Sequence, residues 1–162
     1  MSDYALGDMM ERTVKVSLDR EKLSTIDALY ISHAHSDHFD PYTLMEIYRH
    51  AQPIVFLPFT LRYLGTLIEE YIPSIEIHFL DNHTPFFYRG VEITGHMYQN
   101  PEITNEDDVM MLEVANDHEM LLAEIDTIPD MYDESVAKSL HRVFTRKSYE
   151  TACYIASRNM LE

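Results

Sequence analysis

Within Ile31-Ser32-His33-Ala34-His35-Ser36-Asp37-His38-Phe39-Asp40, three imidazoles and a carboxylate fall between positions 33 and 38. The stretch follows directly on Ile26-Asp27-Ala28-Leu29-Tyr30-Ile31, which reads as a buried strand. A strand ending in a short loop of this composition can direct several nitrogen and oxygen lone pairs into one small volume. That donor set suits Zn²⁺ and related first-row metals. A polar loop that is merely rich in histidine is the structural alternative, and three His with one Asp at this spacing argue against it.

The pattern His33-x-His35-x-Asp37-His38, preceded by Tyr30-Ile31-Ser32, resembles the signature of the metallo-β-lactamase fold hydrolases. The flanks SHAHSDHFDPYTL are similar to the group within it that includes lactone and phosphodiester hydrolases. The resemblance implies that His33 and His35 serve a first metal, and that Asp37 and His38 serve a second. It also implies a third His for the first metal, a bridging Asp, and a final His for the second.

His96, which closes the run Val91-Glu92-Ile93-Thr94-Gly95, matches the third His, and Gly95 before it would permit close backbone approach. Asp126, in Glu124-Ile125-Asp126-Thr127, matches the family's strand followed by Gly-Asp-Thr, with Ile125 standing where the family has glycine. The bland readings are an ordinary polar strand end for His96 and a surface turn for Asp126. The final His has no good match. His141 is the sole histidine after Asp126, and it reads as a helix end, where the dipole already favours it. His50, His78, His83 and His118 read as solvent-facing or hydrogen-bonded; of these His83, in the polar loop Asp81-Asn82-His83-Thr84, is the one to watch.

The elements that must position these groups follow from pattern. Residues 13–18 alternate as a half-wet strand, and 26–32 form the strand before the loop. Asp40-Pro41 is a helix start, with Asp as N-cap and Pro at the first helical position, and that helix runs to about His50. A strand over 53–57 and a helix over 60–71 come next. Short strands are expected over 75–80, 86–88, 91–95, 109–115 and 119–125, with turn chemistry at Asn116-Asp117. Residues 132–140 and 147–160 read as helix, with Cys153 a small buried residue on the second. Periodicity alone gives α/β or α+β; the resemblance implies an α+β fold, the αββα sandwich of the metallo-β-lactamase type.

The chain, 1–162, is read as one such domain, with the resemblance strongest over 12–130 and the sandwich incomplete at both ends. A shortened chain, an abbreviated member with one metal, or a member completed by a partner subunit would each account for that. An unclosed sheet edge tends to pair with another chain, so a homo-oligomer is expected.

Composition narrows the partners. There are 28 Asp plus Glu against 12 Lys plus Arg, a formal −16, which repels polyanions and argues against a nucleic-acid partner. Hydrophobic residues make up 46%, enough for a folded core, and no apolar run is long enough to span a bilayer. One cysteine excludes an internal disulfide and points to a cytoplasmic setting.

The function implied is a metal-dependent hydrolase. It would carry one or two Zn²⁺ ions (Mn²⁺ or Fe²⁺ as alternatives) and use metal-bound hydroxide on an ester, lactone or phosphodiester of a small-molecule substrate. Asp37 would bind the second metal or hold the attacking water, as the catalytic carboxylate. The competing class is a non-catalytic binding or regulatory module that keeps the fold with an incomplete site. A redox di-iron protein on the same fold ranks last, because it needs more carboxylate than these positions supply.

Overall fold

The computed structural model describes residues 19–35, 38–97, 110–124, 134, 137, 138, 141 and 151–155. The anticipated strand over 13–18 lies outside them. Two compact units divide the chain, Met1–Phe79 and Leu80–Glu162.

Among the described residues the first element of the first unit is a one-turn helix, α1 (Arg20–Leu23), capped by the Asp19 carboxylate. Strand β1 (Ala28–Tyr30) pairs in parallel with β2 (Ile54–Pro58), and β3 (Ile77–Leu80) completes a sheet of order β1-β2-β3. The central strand is buried along its whole length, as Ile-Val-Phe-Leu-Pro at the middle of a covered sheet should be. Between β1 and β2 runs α2 (Pro41–Ala51). A 3₁₀ turn (Phe59–Leu61) leads into α3 (Arg62–Tyr71).

Leu61, Leu64, Ile68 and Ile72 recur at near-helical spacing, so one stripe of the 3₁₀–α3 segment faces inward. With Ile31, Leu44, Val55, Leu57 and Ile75 they form the core. Each such side chain taken from water contributes about 1.5–3 kcal/mol before entropy is counted. Gly65 is required by packing, since a Cβ there would sit 2.5 Å from the tip of the Phe79 ring.

The second unit holds a five-stranded sheet of order β4 (Phe86–Tyr88), β5 (Val91–Met97), β6 (Met110–Ala115), β7 (Glu119–Ala123), β8 (Thr151–Ile155). The first three pairings are antiparallel. Asn116 makes the β6–β7 turn as expected, its side-chain oxygen accepting from the backbone N–H of His118 and Glu119 at 2.8 and 2.7 Å.

The expectation of a helix over 147–160 is corrected, because residues 151–155 are the strand β8, parallel to β7. Thr151, Tyr154 and Ile155 are strand formers, and a parallel partner outweighs any helical pattern. Parallel pairing needs a long crossover, and the helical residues 134, 137, 138 and 141 lie within it. No helix among the described residues is long and apolar enough to cross a membrane.

Candidate metal centre

The loop 31–40 leaves the carboxyl end of β1. Ile31 continues the ladder by donating its N–H to the Phe56 carbonyl at 3.1 Å, and Tyr30 beside it is pushed above its ordinary pKa by burial of the phenol. At the far end the chain is gathered by one carbonyl, that of His35, which accepts from the N–H of His38 (2.9 Å) and Phe39 (2.8 Å). Asp40 then caps α2 as its sequence predicted. Its carboxylate accepts from Tyr42 N–H (3.3 Å), Thr43 N–H (3.2 Å) and the Thr43 hydroxyl (2.5 Å). Strand, helix and the packing of Ala34 and Phe39 against the core therefore fix both ends of the loop.

The three loop imidazoles meet. The His33 ring centroid lies 4.5 Å from that of His35 and 4.1 Å from that of His38. His33 is buried, His38 half-buried and His35 exposed. The buried Ser32 hydroxyl is 2.9 Å from His33 Nδ1, which fixes the ring's orientation and leaves Nε2 as the nitrogen directed elsewhere. Ring proximity is not convergence of donors, however. Among the described residues no group of three or more His, Cys, Asp or Glu is spaced to hold a metal ion. Asp37 and Asp126, two of the six expected ligands, lie outside the described residues.

His96 sits in the second unit, on β5, buried to 2% exposure. Its neighbours there were not anticipated. Nε2 is 3.1 Å from a carboxylate oxygen of Glu113, itself 2% exposed, and Nδ1 is 3.1 Å from Nδ1 of His83. The register explains the meeting, because Thr94 pairs with Glu113 and His96 with Met111, so His96 and Glu113 are diagonal neighbours on one face. The polar loop before β4 was the only sequence signal for His83. Glu113 stands in the sequence as a lone charge inside an apolar run, which does not name its partner.

The other histidines have local roles. His50 lies 3.3 Å from Glu46 in the last turn of α2, and His78 packs edge-on to Phe56. His141 lies in a helical segment, as expected.

No family model matches the sequence, and no curated protein matches it. Solved structures do. A point mutant of the CmlA β-hydroxylase is 18% identical, with a TM-score of 0.58 over 71% of this chain and 24% of that one. CmlA from Streptomyces venezuelae, a diiron β-hydroxylase, is 18% identical, with a TM-score of 0.51 over 61% of this chain and 20% of that one. The metallo-β-lactamase fold protein YhfI from Bacillus subtilis is 11% identical over 83% of this chain and 77% of that one, with a TM-score of 0.48. The chain thus spans about a quarter of the length of the CmlA β-hydroxylase, 24%. At such identities the likeness is one of fold. The class is α+β with two sheets, a fold shared with the CmlA β-hydroxylase.

Proposed function

We propose that this protein is a metal-dependent hydrolase whose centre is built on the 33–38 loop. The observation that carries the reading is the gathering of His33, His35 and His38 at the carboxyl end of β1, where a strand and a capped helix hold the loop. The donor set fits Zn²⁺, Mn²⁺ or Fe²⁺, since three imidazoles and the neighbouring Asp37 supply nitrogen and oxygen ligands. Such an ion, when bound, supplies a Lewis acid and lowers the pKa of water.

The chain's own residues do the rest. Ser32 holds the buried His33 in one orientation, as an outer partner of a metal ligand does. His35 is exposed, so an ion it held would be reachable from solvent. Asp37 either completes the ligand set or orients the attacking water, and Asp126 joins as the bridging carboxylate; both roles come from the resemblance. His96 belongs to this reading by resemblance alone. The substrate class is an ester, lactone or phosphodiester of a small molecule.

The test is metal content by elemental analysis together with turnover of chromogenic ester, lactone and phosphodiester substrates. Replacing His33 and His35 with alanine should remove at least one equivalent of metal and abolish turnover. Unchanged metal content would defeat the reading. A chain that folds but holds no ion at the loop would be the non-catalytic module instead.

A further inference from the structure

Helix α3 carries two apolar stripes where a surface helix ordinarily carries one. Leu64 and Ile68, with Leu61 before them and Ile72 after, face the core. Tyr63, Leu67 and Tyr71, spaced by four, remain 63%, 40% and 58% exposed. Residues four apart on a helix are surface neighbours, so these three make a continuous ridge. Single exposed apolar residues are ordinary. Here three of the five large ones exposed among the described residues stand on one side of a single ten-residue helix. We propose that this face of α3 binds the same face of a second copy, with the two helices antiparallel across a two-fold axis at Leu67. The contact does not rest on the hydrolase reading.

The spacing is what singles out a second copy. A two-fold contact sets one patch against itself, so the patch must match itself when reversed. Tyr63-x-x-x-Leu67-x-x-x-Tyr71 does so. About Leu67, Tyr63 of one copy meets Tyr71 of the other, twice, and leucine meets leucine. Tyrosine suits the role, being large and enriched where protein surfaces meet. Ridges of residues four apart, set into grooves of the same kind, are also the commonest way for helices to pack.

Charge is a separate observation. Beside the ridge runs a second exposed row at the same spacing, Arg62, Thr66 and Glu70. Thr66 turns its hydroxyl back to the Arg62 carbonyl at 3.2 Å. The row is therefore positive at one end, neutral in the middle and negative at the other, where Glu69 adjoins Glu70. Antiparallel copies set Arg62 of one at the end where the other carries Glu70, on both sides of the axis. Parallel copies would oppose like charges. The helix dipoles agree, positive N-terminus against negative C-terminus. Arg62 lies over its own Phe79 ring, 4.8 Å from the centroid, which holds the guanidinium at this end of the helix. The chain's formal −16 repels a second copy at long range, but at physiological salt that field is screened beyond about 8 Å. At contact distance the local pattern decides.

The size of the face sets the strength. An aromatic side chain offers roughly 150–250 Å², so the ridge and the row beside it bury on the order of 1,000 Å² over two copies. That lies at the low end of specific interfaces, in the range of weak and transient encounters. The dimer is accordingly weak, half-formed at about 0.1 mM chain. It is a helical contact, distinct from the edge pairing that an unclosed sheet favours.

Sedimentation velocity of the full chain, from about 10 µM to about 1 mM at physiological salt, tests the contact. The mean mass should rise from one chain toward two across that range. Leu67→Glu sets two carboxylates on the axis and should weaken association at least about tenfold. Arg62→Glu should weaken it by about 3–10-fold. Adding Glu70→Arg to that variant should restore the parent midpoint to within about threefold, because the row is then reversed in both copies. All three positions are exposed, so far-ultraviolet circular dichroism should be unchanged in each variant. A chain still monomeric at the highest concentration would overturn the contact and leave the ridge to a partner of another sequence. Association undiminished by Leu67→Glu, or an Arg62→Glu defect that Glu70→Arg fails to repair, would overturn it as well. Failure of the loop reading would appear elsewhere, as unchanged metal content when His33 and His35 are replaced.

Discussion

Asp40→Ala removes the group that joins the histidine loop to α2, and its cost can be worked from three contacts. The carboxylate satisfies two otherwise orphaned N–H groups of the first turn, at 3.3 and 3.2 Å, and accepts the Thr43 hydroxyl as well. Loss of an N-cap acceptor costs about 0.5–2 kcal/mol, typically near 1. Two features place Asp40 in the upper half of that range. Its two oxygens serve different donors, and a negative charge at a helix N-terminus is itself favourable by about 0.3–1 kcal/mol. The expected loss is therefore about 1–2 kcal/mol. Asp40→Asn keeps an acceptor but not the charge, so it should lose only about 0.3–1 kcal/mol. Urea unfolding followed by far-ultraviolet circular dichroism measures both, with a lower midpoint and an unchanged slope. An alanine variant within about 0.3 kcal/mol of the parent, or an asparagine variant as unstable as the alanine one, would refute the capping argument.

Two further outcomes follow from the first unit. Leu57→Ala, at a fully buried position of the central strand, should lose about 2–5 kcal/mol in the same urea assay, and a loss under about 1 kcal/mol would remove β2 from the centre of the core. Glu46 is held below its ordinary carboxylate pKa by hydrogen bonds from His50 first and Arg49 second. A depressed carboxylate contributes stability above its unfolded pKa and loses it as pH falls through the folded value. Carbon-detected titration should therefore show Glu46 moving up toward 4.5 in His50→Ala; no movement would mean the bond does not form in solution.

What the sequence made legible was local. The Asp40-Pro41 start, the apolar run of β2, the turn at Asn116 and the helix α3 each follow from neighbours within a few residues, and each stands where it was expected. The gathering of His33, His35 and His38 is of the same kind, since three residues in one short loop cannot be far apart. Glu113 is the opposite case. Met110-Met111-Leu112-Glu113-Val114-Ala115 reads as an apolar strand with one intruding charge, and only the β5–β6 register reveals that the charge lies diagonal to His96. His83 reaches the same point through a left-handed turn stapled to Gly95, which no periodicity encodes.

Strand β8 was missed for a related reason. A five-residue strand with its partner some thirty positions earlier has no local signature strong enough to outweigh a helical pattern. The physical consequence is unequal. Buried carboxylates and imidazoles that meet only through sheet register are costly unless each finds its partner. An acid such as Glu113 inside an apolar strand is therefore a signal in itself. Its burial demands a proton donor or a cation on a neighbouring strand, and His96 is the group that meets the demand.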